Sequence, residues 1–208
     1  MKRYYAYILF LFICGGITAG DFTNPTARVK DSVKKVILIL KDDSLAREIR
    51  WKKIGAVIDK SFDFRSMSQS ILATNWKTAT PAEREKFIEF FSQYIEETYR
   101  AKIESYTNQK IEYTGETING KRAVVETLII TDSAEIPVNY KLKNNDGTWF
   151  AYDVVIEGIS LVNNYRSTFS AIVKNDGMDG LLNDIQSRIN KYKSSEQTDS
   201  YSGNSKDS

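Results

Sequence analysis

Side chains able to carry covalent or acid–base chemistry are scarce in this 208-residue chain. It has no histidine, and its one cysteine, Cys14, lies inside an apolar N-terminal run. That leaves no imidazole general base, no Cys or Ser nucleophile paired with His, and none of the usual zinc ligands. Asp153 and Glu157 stand out as carboxylates in an otherwise apolar strand. At i, i+4 on a strand they point to one side but lie too far apart to share a proton. They read as hydrogen-bonded structural acids, the alternative being an enzyme that uses Asp153 or a tyrosine as acid or base. Gly177 and Gly180 do not fit a phosphate-cradling loop and read as breaks between helices. The basic pairs Lys34-Lys35 and Lys52-Lys53 read as a solvated helix face. What remains is binding chemistry, and the side chains available for it are apolar and aromatic.

Their spacing defines the elements that must position them. Asn24-Pro25 can open a helix carrying Val29, Val33, Val36, Ile37 and Leu40 on one stripe. A second helix carries Leu45, Ile49, Ile54, Val57 and Ile58, and a short third carries Phe64, Met67, Ile71 and Leu72. Thr80-Pro81-Ala82-Glu83 is a capping box with proline in the first turn. It starts the longest helix, which is predicted to run to about Tyr106. Apolar and aromatic residues at 87, 90, 91, 94, 95, 98, 99, 103 and 106 give that helix a wider stripe than one packing contact needs. One edge can meet a sheet while the other lines a cavity.

Beyond Tyr106 the period changes to two. Strands are predicted over 111–117, 122–131, 136–143 and 148–157, joined by turns at Asn119-Gly120 and Asn145-Asp146-Gly147. Pro137 favours the start or edge of its strand. Helical spacing returns with Tyr165, Phe169, Ile172 and Val173, then Leu181, Leu182, Ile185, Ile189 and Tyr192. The predicted architecture is α+β. Helices from both ends of the chain pack on a curved antiparallel sheet of about four strands and enclose an apolar cavity.

Residues 1–20 read as a cleavable secretory signal: Lys2-Arg3, an apolar stretch to Ile17, then Thr18-Ala19-Gly20. That stretch is shorter than the roughly 20 residues that span a bilayer. A rival reading, acylation on Cys14, puts the bulky Ile13 where a small residue is expected. The chain has 29 basic and 27 acidic residues, and losing Lys2 and Arg3 with the signal makes the two equal. A neutral chain gives no support to nucleic-acid binding. Without mature cysteine, the fold of residues 21–193 must be held by its core, and about 170 residues are enough for one. Residues 194–208, rich in Ser, Asp, Asn, Gln and Gly, read as a disordered tail.

Several ordered motifs carry a family resemblance. They are Phe62-Asp-Phe64 with Ile71-Leu72, the stretch from Trp76 to Phe87, and Trp149-Phe-Ala-Tyr152-Asp153-Val-Val-Ile-Glu157-Gly158-Ile-Ser160-Leu161. Asn163-Asn-Tyr165-Arg166 and Gly177-Met-Asp179-Gly180-Leu181-Leu follow. Together they resemble the MlaC family of periplasmic phospholipid carriers, also called toluene-tolerance auxiliary components. The resemblance runs from about Asn24 to Lys191, with departures at Ala73, often Gly in the family, and in the polar tail. It implies a nuclear-transport-factor-like fold and a monomeric periplasmic shuttle with no cofactor. Its implied partners are a phospholipid ligand, an outer-membrane lipoprotein complex, and the inner-membrane substrate-binding hexamer of an ABC transporter.

Such a carrier faces a steep energetic demand. Exposing an acyl chain of ~16 carbons to water costs on the order of 12 kcal/mol, and two tails double that. Both tails must be covered, while the charged headgroup does best left in water at the cavity mouth. The expected tail contacts are Phe87, Phe91 and Tyr94 on the long helix, with Val138, Tyr140, Phe150, Tyr152 and Val154 on the sheet. An aliphatic wall would also accept another apolar lipid such as a hopanoid.

Overall fold

A computed structural model describes residues 24–203, with side chains to Ser195. The expected signal peptide and Cys14 lie outside the described residues. Helix α1 spans Pro25–Leu40, with the Asn24 side chain accepting from the Ala27 amide at 2.8 Å. Helices α2 (Arg47–Ser61), α3 (Phe64–Leu72) and α4 (Thr74–Thr78) follow. Helix α5, Pro81–Glu104, opens on the expected capping box, with Thr80 and Glu83 satisfying each other's backbone donors. Its 24 residues extend ~36 Å. Strands β1 (Lys110–Asn119), β2 (Arg122–Ile130), β3 (Glu135–Asn145), β4 (Thr148–Ile156) and β5 (Ile159–Ser160) form an antiparallel meander in sequence order. Helix α6, Leu161–Gly203, is broken at Gly177, whose φ of +69° leaves the helical region. Gly180 stays within the helix and is not a break. The helix continues to Gly203, past Ser194, where composition alone places the start of an unstructured tail.

Two-residue turns set the register. Asp146-Gly147 joins β3 to β4 and Glu157-Gly158 joins β4 to β5, all four residues at positive φ. That is the turn geometry matching the twist of the flanking strands. One irregularity decides which side chains share a face. Lys141 pairs with Asp153 but Leu142 pairs with Ala151, so Tyr152 is the extra residue of a β-bulge. Above the bulge Val154 and Ile156 stand with Tyr140 and Val138; below it Ala151 and Trp149 stand with Leu142. This face is covered by helices. One cluster joins Val138 and Val154 to α3, α5 and α6; a smaller one joins Ala123, Val125, Leu142 and Trp149 to Val29 of α1.

Polar side chains tie the layers at their margins. Arg28 of α1 donates to the carbonyls of Trp149 and Lys60. Arg47 and Trp51 of α2 both donate to the Glu104 carboxylate on α5. Asp153 is only 4 % exposed, yet it has three donors: Lys141 Nζ at 3.1 Å, Ser160 Oγ at 2.8 Å and the Val162 amide at 3.1 Å. It joins β3, β4 and β5 to the first turn of α6, where a carboxylate also suits the helix dipole.

Ala73, between α3 and α4, sits at φ +50° and ψ −115°, a conformation favourable only for glycine. Ala73→Gly should therefore raise stability by about 1 kcal/mol, read as a higher urea midpoint; a lower midpoint would mean the backbone there is unstrained. Asp153→Asn weakens three contacts to a buried acceptor and should cost about 2 kcal/mol in denaturant unfolding. A variant as stable as the parent would show that Asp153 does not hold the elements together.

Candidate functional site

Three places in the molecule gather side chains that could act on or hold another molecule. The first is a groove of about 530 Å³ between α2 and α5, lined by Glu48, Trp51, Lys52, Gly55, Ala56, Asp59, Glu96 and Arg100. Glu96 lies so close over Gly55 that a β-carbon there would come within 3.2 Å of its carboxylate. Burial, then the charge of Asp59, pushes the Glu96 carboxyl up to about 7. The lining carries both acids and bases, and across it the Arg100 guanidinium of α5 lies 4.8 Å from the Trp51 ring of α2. The second place is Asp153, whose carboxylate is fully engaged in the joint described above. Among the described residues no three acids, histidines or cysteines converge to hold a metal.

The third is the space between α5, α6 and the covered face of the sheet. Phe87 and Phe91 are completely buried and stack at 5.8 Å between centroids, with planes 4° apart. Phe169 of α6 meets both edge-on, and Tyr165 meets Phe91 edge-on at 5.5 Å. Tyr94 lies next along the row, 5.7 Å from Tyr165 and 6.2 Å from Tyr192. Such edge-to-face and offset pairs add to the burial of the rings themselves. Val138 and Val154 close the cluster from the sheet, each 6 % exposed.

Of the side chains expected to contact tails, Phe87, Phe91, Tyr94, Val138 and Val154 thus meet in one buried cluster, and Tyr140 packs half-buried against it. Phe150 and Tyr152 do not join them. Simple alternation along β4 puts 150, 152 and 154 on one face, but the bulge breaks the alternation. Phe150 pairs with Lys143 on the opposite face, and the Tyr152 ring lies 5.6 Å from the Arg122 guanidinium. The expected hollow also differs in the structure: around Phe91 the space is filled by the protein's own rings.

Openness appears at the margins of the cluster. On the covered face Ile129, Ile136, Tyr140 and Ile156 remain half-buried, as do Ile95 and Tyr99 on α5. Helix α5 packs chiefly on α6 and α3 and does not lie flat on the strands. At the Tyr94 end a cleft of about 330 Å³ reaches the surface, lined by Tyr94, Arg188, Lys191, Tyr192 and Ser195. Burial and then neighbouring Tyr94 push the Tyr99 and Tyr165 hydroxyls upward, and burial pushes Tyr140 up to about 12. These groups can hydrogen-bond but are poor bases near neutral pH.

Sequence reasoning left the α6 half of this site unassigned. The signal was present, because Tyr165/Phe169 and Leu181/Ile185/Ile189 repeat at the i, i+4 spacing that marks one helix face. What periodicity could not supply was that this face meets Phe87 and Phe91.

Comparison with known proteins agrees with this architecture. A phospholipid-binding protein from Ralstonia solanacearum, solved in complex with a phospholipid, superposes with a TM-score of 0.72. The match covers 80 % of this chain and 97 % of that one at 22 % identity, and so concerns the fold. The intermembrane phospholipid transport system binding protein MlaC of Haemophilus influenzae is 27 % identical over 122 residues, covering 56 % of this chain. Toluene tolerance protein ttg2D of Pseudomonas putida is 28 % identical over 129 residues, covering 61 % of this chain. The matches span 57 % and 58 % of those two relatives' lengths. The family model described as MlaC protein matches residues 30–187, most of the chain, and the protein therefore belongs to the MlaC family.

Proposed function

We propose that this protein is a periplasmic phospholipid carrier whose acyl-chain compartment is the layer between α5, α6 and the covered face of the sheet. One observation carries the reading: an apolar layer closed at its centre by fully buried rings, with Ile129, Ile136 and Ile156 of the sheet and Ile95 and Tyr99 of α5 left only half-buried at its margin. Membership of the MlaC family and the likeness in fold to a phospholipid-binding protein support it.

The physics of loading is an exchange of like for like. Parting α5 and α6 from the strands exposes apolar surface at about 25 cal/mol per Å², but tails that enter cover the same surface. Hydrocarbon replaces ring–ring contacts, and the dispersion energy lost between side chains returns between side chains and lipid. The half-thickness of a bilayer core, ~15 Å, is well within the length of α5. No chemical step is required, which suits a site lined by apolar and aromatic side chains.

As a monomer, the carrier would accept lipid from one membrane and release it at the other. Its partners would be an outer-membrane lipoprotein complex and an inner-membrane substrate-binding hexamer. Transfer needs only that affinity at each station differ from that of the carrier.

Incubation with phospholipid vesicles, repurification and native mass spectrometry test this directly. The protein should emerge with bound phospholipid. Ile136→Trp, which fills the half-open end, should lower the load several-fold, while Phe150→Ala on the opposite face should leave it unchanged. Parent protein that emerges empty, or a load sensitive to Phe150 and not to Ile136, would overturn the proposal.

A further inference from the structure

We infer that the cleft between α5 and the C-terminal part of α6 is a binding site for the phosphodiester of a bound lipid, with Lys191 and Arg188 as its charge-recognising residues. The inference rests on the carrier reading and deepens it by naming what recognises the polar end of the cargo.

The cleft has a volume of about 330 Å³ and is lined by Tyr94, Arg188, Lys191, Tyr192 and Ser195. Two cations and three hydroxyls converge there, and no described carboxylate lines it. Asp184 lies beside the cleft and takes up part of this charge: its oxygens accept from Arg188 Nε at 2.7 Å and Nη2 at 3.3 Å. Arg188 also hydrogen-bonds the Tyr94 hydroxyl. The Ser195 hydroxyl donates to the Tyr192 carbonyl and is thereby turned to the helix. Lys191 is exposed, has no carboxylate partner among the described residues, and sets the net charge of the cleft.

What makes this more than a basic surface spot is its floor. The Tyr94 ring is 6 % exposed and packs on Tyr165 and Phe169, the aromatic core itself. An anion in the cleft therefore stands one ring away from the proposed tail compartment. A phosphate bearing apolar chains satisfies both environments at once, whereas a free phosphate uses only one. Two donors read charge rather than alcohol, so headgroups sharing a phosphodiester should be accepted alike.

Loading from vesicles that contain either phosphatidylglycerol or a diacylglycerol of the same chains separates polar from apolar recognition. Native protein should prefer the phospholipid by about tenfold, as expected for one or two charge-assisted hydrogen bonds. Lys191→Gln and Arg188→Gln should each reduce that preference several-fold and leave diacylglycerol loading intact. Asp184→Asn, which frees Arg188, should increase it. An unchanged preference in Lys191→Gln would overturn the inference, as would equal loss of both lipids in variants that keep their thermal midpoint. Displacement of phospholipid by millimolar glycerol 3-phosphate would assign the cleft to soluble phosphate esters instead. Native protein that loads neither lipid would overturn the carrier reading, a result distinct from any of these.

Discussion

Phe91 touches every helical layer of the main core. Its ring stacks on Phe87 along α5, meets Phe64 of α3 edge-on at 6.4 Å, and meets Tyr165 and Phe169 of α6. With a single cysteine in the chain and no cluster of metal ligands among the described residues, the fold depends on this aromatic packing against the sheet. A fully buried Phe truncated to Ala typically costs 3–5 kcal/mol, a large share of the stability of a domain this size. The same packing constrains function, because any apolar guest must compete with these rings for the same space.

The polar interactions are arranged so that this competition is possible. Ion pairs and buried carboxylates sit at the edges: Asp153 at the strand-to-helix corner, Glu104 between α2 and α5, and Lys143 reaching Asp63 at 2.6 Å across the β4 edge. The centre of the α5–α6–sheet layer contains almost no directional bonds. Side chains held mainly by dispersion and exclusion of water can repack when hydrocarbon arrives, and the few hydrogen bonds there, such as that of the Tyr165 hydroxyl with Thr98, lie at the ring tips. The margins keep the elements together while the middle exchanges contents.

Much of this was legible from residue spacing. The capping box at Thr80 and Glu83, the turn at Asp146-Gly147 and the break at Gly177 each rest on local chemistry that needs no tertiary information. The family motifs located the fold before any coordinates. Three features were not legible. The bulge at Tyr152 changes the facing of β4, and nothing in a string of alternating bulky residues marks where such an insertion falls. The short β5 arises because the positive-φ turn at Glu157-Gly158 folds Ile159 back onto Ile156, too few residues for a periodic signal. The cleft at Tyr94 sets one residue of α5 beside residues nearly a hundred positions later, a juxtaposition made only by α6 packing on the aromatic core.

The central claim is that lipid tails occupy the layer around Phe91, between α5, α6 and the covered face of the sheet. A phospholipid carrying a photoactivatable diazirine near the end of an acyl chain tests it most directly, with cross-linked residues mapped by peptide mass spectrometry. The account predicts adducts on Phe87, Phe91, Val138, Ile136 and Ile156. Adducts confined to Phe150 and Tyr152 on the opposite face, or to the polar groove between α2 and α5, would contradict it.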